Sequence, residues 1–336
     1  MNIKKKNVWD TVRIQKPFFA LAPMADATDN AFREIIAKKS RMGKWGGGPD
    51  IMWTEFVACD GLASEEGRGH LLRDLAYTEH QRPLIAQVFG GNPETMYVGA
   101  KVVAELGFDG IDINMGCPQE KIIKQRAGAD LIRDPKRAKE IVEAVREGVK
   151  AAGKDTPVSV KTRVGFSKDI LEEWIPELLS LNLPALTIHA RTQKDMSKVP
   201  ARWERVARTV ELRNIYAPNT LIIGNGDVIS IADGKQKTKE TGVDGIMIGR
   251  AVFGNPWIFA GRDSKTISQK EKIAALIEHT KLYEERHPDK NFAIMKKHYS
   301  AYVRGFSGAK ELRMELMNAE TYDDVYRITG EFLRKM

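Results

Sequence analysis

One cysteine in this sequence stands where a thiol can do chemistry: Cys117, between Gly116 and Pro118 at the end of the apolar run Ile111-Asp112-Ile113-Asn114-Met115. A turn there presents the sulfur, which can give a proton as a thiol or attack an electrophile as a thiolate. Cys59, which follows Phe56, Val57 and Ala58, reads instead as a small inert hydrophobe. Cationic side chains recur two residues apart, Lys161 with Arg163 and His189 with Arg191. In an extended chain that spacing puts each pair on one side of its strand. Asn225-Gly226-Asp227 and Gly249-Arg250 add polar turns whose glycines let backbone N–H groups approach an anion. Such cations against apolar strands need an electron-rich ring or phosphates as a complement. Ion pairing with Asp112 and Asp227 is the alternative that the residues leave open.

Positioning these groups falls to short apolar runs that begin near Pro17, Asp50, Pro83, Phe108, Pro157, Ala185, Thr220 and Asp244, with amphipathic stretches such as residues 94–106 and 135–152 between them. Eight such βα units predict an α/β fold, a TIM (β/α)8 barrel. A doubly wound sheet is the structural alternative, but its glycine-rich turn is missing, since the first run ends in Ala22-Pro23-Met24-Ala25. Gly46-Gly47-Gly48 lacks a following Gly-Lys-Ser/Thr and reads as a flexible loop. In a barrel the strand C-termini converge, so Gln87, Asn114, Lys161, Arg163, His189, Arg191, Asn225 and Arg250 should meet at one mouth. The turns after strands seven and eight are the usual phosphate site of this fold. Past Trp257 the pattern turns to charged helices, with Ser268 as an N-cap, Pro288 as a break, and Gly305 and Gly308 as punctuation. The expected division is a catalytic barrel over residues 1–262 and a helical domain over residues 263–336.

The 336 residues are 42% hydrophobic and 29% charged, which excludes fibrous, coiled-coil and wholly disordered chains. Two cysteines build no disulfide framework, and no Cys/His spacing suits zinc. A reducing cytoplasmic compartment and no metal site are therefore expected. Lys4, Lys5 and Lys6 precede no apolar region, and no apolar run of about 18 residues occurs, so neither secretion nor membrane spanning is expected. The net charge of +8 favours a polyanion. Its clusters are Lys38, Lys39, Arg41 and Lys44 early, and Lys296, Lys297, His298, Arg304, Lys310 and Arg313 late, each of which also suits a plain solvated surface.

In their order and spacing, Ala22-Pro23-Met24-Ala25, Ile113-Asn114-Met115-Gly116-Cys117-Pro118, Lys161-Thr162-Arg163, His189-Ala190-Arg191-Thr192, Asn225-Gly226-Asp227 and Gly249-Arg250-Ala251 resemble the tRNA-dihydrouridine synthases, and most closely their bacterial B-type branch. Arg126-Ala127-Gly128-Ala129-Asp130-Leu131, Asn255-Pro256-Trp257-Ile258-Phe259, and Lys297-His298 with Tyr302 add to the likeness. The resemblance implies an FMN in the barrel mouth, reduced by NADPH, and a uridine flipped out of folded RNA. Hydride would pass from the flavin N5 to uracil C6 and a proton from Cys117 to C5. Position by position, it implies that Pro23, Met24, Gln87, Lys161, His189, Asn225, Gly226, Asp227, Gly249 and Arg250 hold FMN. Asn114, Arg163 and Arg191 would touch the flipped nucleotide. Lys297, His298 and Arg304 would bind the RNA backbone, with Lys297 and Arg304 on one helix face. The expected partner is tRNA, and the expected state is a monomer. The sequence departs from the B-type pattern in a Gly- and Lys-rich insertion between Ala37 and Asp50 and in residues 194–202. Two rivals follow from the same residues. A barrel oxidase of a free pyrimidine, of the dihydroorotate kind, would not need the basic tail. An RNA-binding protein on a retired barrel would not need Lys161, His189 and Cys117.

Overall fold

The computed structural model describes residues 7–335, so Lys4, Lys5 and Lys6 lie outside the described residues. Eight parallel strands close in chain order into one barrel: β1 (Phe18–Leu21), β2 (Ile51–Ala58), β3 (Leu84–Phe89), β4 (Gly110–Met115), β5 (Val158–Gly165), β6 (Ala185–Thr192), β7 (Leu221–Asn225) and β8 (Gly245–Ile248). All eight expected runs form strands, and β1 pairs with both β2 and β8. Side-chain alternation then sorts each strand. Outward positions such as Phe19, Leu21, Ile111 and Ile188 pack under the surrounding helices. Inward positions are apolar low in the barrel, where Phe18, Ala20, Ile51, Trp53, Ile85, Leu221 and Ile223 form one cluster. Higher up, the same inward rows carry Asn114, Lys161, Arg163, His189, Arg191 and Asn225. A packed floor beneath a polar mouth follows from that gradient.

The sequence reading did not foresee the element that closes the bottom. Helix α1 (Val8–Val12), boxed by Asn7 and Asp10, puts the Trp9 ring 6.0 Å from that of Trp53. The outer ring is α2 (Asn30–Lys39), α3 (Cys59–Ala63), α4 (Glu65–Asp74), α5 (Pro93–Glu105), α6 (Glu120–Ile123), α7 (Pro135–Ala151), α8 (Leu171–Leu179), α9 (Trp203–Tyr216) and α10 (Ile231–Thr241). Asp29, Asn92 and Asp134 cap α2, α5 and α7, the last two with proline at the first helical turn. Cys59 is fully buried at the start of α3. A Cβ added to Gly99 of α5 would come within 2.5 Å of its sulfur, so close packing sets its role.

After β8 come α11 (Gln269–Arg286), α12 (Lys296–Tyr302), α13 (Ala309–Leu316) and α14 (Tyr322–Arg334). Ser268 and Glu271 form a capping box at α11, and Ile273, Leu276, Tyr299, Leu312 and Val325 share an apolar cluster that also takes in Ala31 of α2 and Trp257. Helix α11 lies along α2. Lys38 and Lys39 both pair with Glu278, and Arg286 pairs with Glu34. These two early lysines therefore brace the helices and are not a free basic patch. Among the described residues, no helix is long and apolar enough to cross a membrane.

Candidate active site

A cavity of about 900 Å³ opens at the C-terminal ends of the strands. It gathers Pro23 and Met24 from the turn after β1, Asn114 from β4, Cys117 from the turn that follows it, and Lys161 and Arg163 from β5. His189 and Arg191 of β6, Asn225 of β7, Gly226 and Asp227 in the turn after it, and Gly249 and Arg250 after β8 complete it. Strand register explains the layering, because Asn114 sits beside Lys161, Arg163 beside His189, and His189 beside Asn225.

Cys117 is 7% exposed and packs with Phe89, Ile122 and Ala127. Its turn is held from two sides. The Asn114 side-chain oxygen accepts from the backbone N–H of Gly116 at 3.0 Å and of Cys117 at 2.8 Å. The Arg163 Nε donates to the Gly116 carbonyl at 2.6 Å. Burial pushes the thiol above its ordinary value, against smaller opposing pulls from the Gln119 N–H, Arg163 and Lys161. At neutral pH the sulfur keeps its proton, so of the two roles open to it the site favours acid over nucleophile.

The Lys161 ammonium has no carboxylate within ion-pairing distance among the described residues. Burial, then the neighbouring Arg163, hold its pKa down to about 8. Below it, Asp112 is pushed up to about 6 by burial while it accepts from Gln87 Nε2 and Ser159 Oγ, both at 2.7 Å. His189 lies well below its ordinary value through burial and the cations Arg163 and Lys161. It is neutral, and its Nε2 accepts from Arg191 Nη1 at 3.2 Å. Asp227 accepts from Arg191 Nη2, from Arg250 Nη2 at 2.9 Å and from the Ala201 N–H at 2.9 Å. Internal pairing thus accounts for Arg191 and Arg250, whereas Lys161 and Arg163 have no carboxylate in ion-pairing contact among the described residues.

Gly226 has φ +131°, and a Cβ there would meet the Ala201 side chain at 2.8 Å. Only glycine fits. At Gly249 an added Cβ would make ordinary van der Waals contact with the Met24 sulfur at 3.5 Å.

Three expectations need correction. Gln87 does not line the cavity; it is fully buried and accepts from Asn114 Nδ2 at 2.9 Å, linking Asp112 to Asn114 from beneath. His298 is fully buried, its ring 4.7 Å from that of Phe32 and 4.6 Å from that of His279, so it cannot reach an RNA phosphate. Lys297 and Arg304 do not share a helix face, because α12 ends at Tyr302. Lys297 feels Asp26, Glu55 and Asp29 near the barrel rim, whereas Arg304 lies beside Lys272.

Arg163 also donates through Nη1 to the carbonyls of Thr192 at 3.0 Å and Met196 at 3.3 Å, and Arg191 Nε donates to Val199 at 2.7 Å. These arginines therefore pin the loop of residues 194–202 over the cavity as well as facing into it. The sequence reading missed Phe56, Met196 and Ser197, which line the site. Phe56 stands edge-on to Phe89 at 5.4 Å, just past a register shift in β2. A search for polar strand ends passes over it. The arrangement can bind a planar, anionic ligand between cationic walls and deliver a proton to it from Cys117.

A family model described as Dihydrouridine synthase (Dus) matches residues 20–335. A probable tRNA-dihydrouridine synthase of Staphylococcus epidermidis is 36% identical over 335 residues, covering 99% of this chain and 98% of that protein. Probable tRNA-dihydrouridine synthase 2 of Bacillus subtilis is 36% identical over 333 residues, 98% of each. Among solved structures, histamine dehydrogenase from a Rhizobium species shares the fold at TM-score 0.51 and 14% identity over 79% of this chain; this chain covers 48% of that one. A 2-naphthoyl-CoA reductase complex gives TM-score 0.51 at 13% identity, over 71% of this chain and 48% of that one.

Proposed function

Because this chain belongs to the dihydrouridine synthase family, we propose that it reduces specific uridines of tRNA to 5,6-dihydrouridine, using a flavin held in the barrel mouth. The observation that carries the reading is the meeting of a protonated thiol, Cys117, and an unpaired ammonium, Lys161, in one cavity.

The residues present fit FMN. The cavity lies within the range of about 300–1,000 Å³ usual for ligand sites, and Lys161 lacks an anion that the group would bring. Gly226 keeps the backbone open where a side chain would intrude. Lys161, His189, Asn225 and the turns at Gly226–Asp227 and Gly249–Arg250 would hold it, with Pro23 and Met24 against it and Gln87 acting only from below. FMN reduced by NADPH supplies the hydride for uracil C6.

The chain's own part is to bind, shield and protonate. Lys161 lends positive charge where reduction leaves negative charge. Neutral His189 is fixed by Arg191 with Nε2 as the acceptor, so its other ring nitrogen carries the proton and can donate. Asn114 and Arg163 hold the turn that aims Cys117, whose thiol gives its proton to C5. Arg163 Nη2, without a partner among the described residues, faces the nucleotide. At the rim, Lys297 supplies charge for the RNA backbone, and helices α11 to α14, within residues 263–336, form the RNA-binding part. The match extends through this tail, which favours RNA over a free pyrimidine.

The test is reconstitution. Purified protein with FMN and NADPH should convert uridine to dihydrouridine in an unmodified tRNA transcript, seen as a mass gain of two hydrogens. Protein that shows no flavin absorbance as isolated and takes up none from added FMN would refute the reading.

A further inference from the structure

A second recess, of about 400 Å³, lies in the helical tail and shares no residue with the barrel-mouth cavity. Lys265, Lys272 and Arg304 converge on it, and no carboxylate lines it. The nearby acids are engaged elsewhere. Glu271 pairs with Arg262 at 2.9 Å and closes the capping box, while Asp263 accepts from the Lys265 backbone N–H at 2.8 Å and attracts Lys272 only at a distance. Lys272 is held below its ordinary value by burial and by Arg304. The Gln269 side chain also lines the recess, and its amide nitrogen is buried with no partner among the described residues.

Lys265 and Arg304 are exposed and Lys272 and Gln269 half-buried, so water screens much of the repulsion between the cations, and the buried Gln269 amide N–H without an acceptor argues more strongly for an anion. One tetrahedral oxyanion answers both. Its oxygens can accept from the Arg304 fork, the two ammonium groups and the Gln269 amide together. Phe306 gives the recess an apolar wall, and Gly305, at φ +78°, leaves open space where a side chain would stand.

We propose that this recess is a phosphate-binding site, separate from the catalytic mouth, that takes a phosphate group of the RNA backbone or of a free phosphorylated molecule. The RNA source rests on the function proposed above; the phosphate chemistry does not.

The experiment uses the full flavin-loaded protein and the double variant Lys272→Ala/Arg304→Ala, with Lys272→Arg/Arg304→Lys as the charge-preserving control. Inorganic pyrophosphate is titrated by calorimetry, and tRNA binding is measured against salt. Wild type and the control should bind pyrophosphate, and the double variant should lose at least tenfold in affinity. If the phosphate belongs to RNA, the plot of log affinity against log salt should also flatten by roughly 0.7–0.9, the share of one phosphate, in the double variant. An unchanged slope with lost pyrophosphate binding assigns the site to a free phosphorylated ligand. Equal behaviour of wild type and double variant in both measurements overturns the proposal. Wild type that binds pyrophosphate but no tRNA would overturn the RNA reading and leave the site standing.

Discussion

Replacing Lys161 with methionine should stabilise the flavin-free protein while it destroys the enzyme. The side chain stays unbranched, one atom shorter, and loses a charge that the apo cavity does not compensate. Lowering the ammonium from 10.5 to about 8 means that holding it charged in the fold costs about 3 kcal/mol. Over 336 residues, an unfolding entropy of about 2 cal/mol/K per residue turns that into a rise in melting temperature of about 4 °C at pH 7. The sign follows from proton binding. Below the folded value of about 8 both states are protonated and the penalty is complete. Between about 8 and 10.5 the folded state releases its proton first, so wild-type stability climbs with pH and the gap to Lys161→Met closes. Thermal melts of flavin-stripped wild type and variant at pH 7 and pH 10 measure both quantities. A variant that melts lower than wild type at pH 7, or a gap that does not narrow at pH 10, would show that Lys161 is compensated in the apo protein and that the argument for an anionic ligand is wrong.

Asn114→Ala removes the acceptor for two buried N–H groups and should cost about 2–4 kcal/mol in denaturant melts, with a loss of turnover larger than the loss of flavin binding because the Cys117 turn is released. Gly226→Ala should weaken flavin retention on gel filtration at least tenfold, since its Cβ would lie 2.8 Å from Ala201 on a backbone at φ +131°; retention equal to wild type would count against the phosphate turn. Buried His279, held down to about 4, takes up in the unfolded state a proton that it refuses when folded. Stability should therefore fall by about 3 kcal/mol as pH drops from 6.5 to 4, and His279→Leu should flatten that part of the pH profile.

The eight strands are legible because each is mostly a run of apolar residues with both faces covered; polar residues gather toward the C-terminal ends, although Thr54, Asp112, Ser159 and Thr187 stand buried inside β2, β4, β5 and β6. Spacing by two also places Lys161 with Arg163 and His189 with Arg191, since β5 and β6 stay extended through those residues. Composition does not show how far each donor's capacity is used internally. Arg191 and Arg250 share Asp227, and Gln87 turns to Asp112 because it stands one inward layer lower. The tail misleads for a local reason. Val303 and Gly305 stop α12 within two turns, so a helical spacing carried from Lys297 to Arg304 has no helix to run on. His298 looks basic in a basic cluster, yet its neighbours Met295, Tyr299 and Tyr302 form the buried stripe to which it belongs. Trp9 gives no periodic signal in a helix of five residues, and only the hole at the barrel floor explains it.

The thiol at the mouth is the group whose removal separates proton delivery from flavin and RNA binding. Cys117→Ala should be isolated with its flavin, oxidise NADPH at the wild-type rate and bind tRNA normally, yet form dihydrouridine at least a hundredfold more slowly in a single-turnover quench with the mass of the nucleoside as readout. Dihydrouridine formed by the alanine variant at the wild-type rate would contradict the account, because the proton would then come from somewhere other than this sulfur.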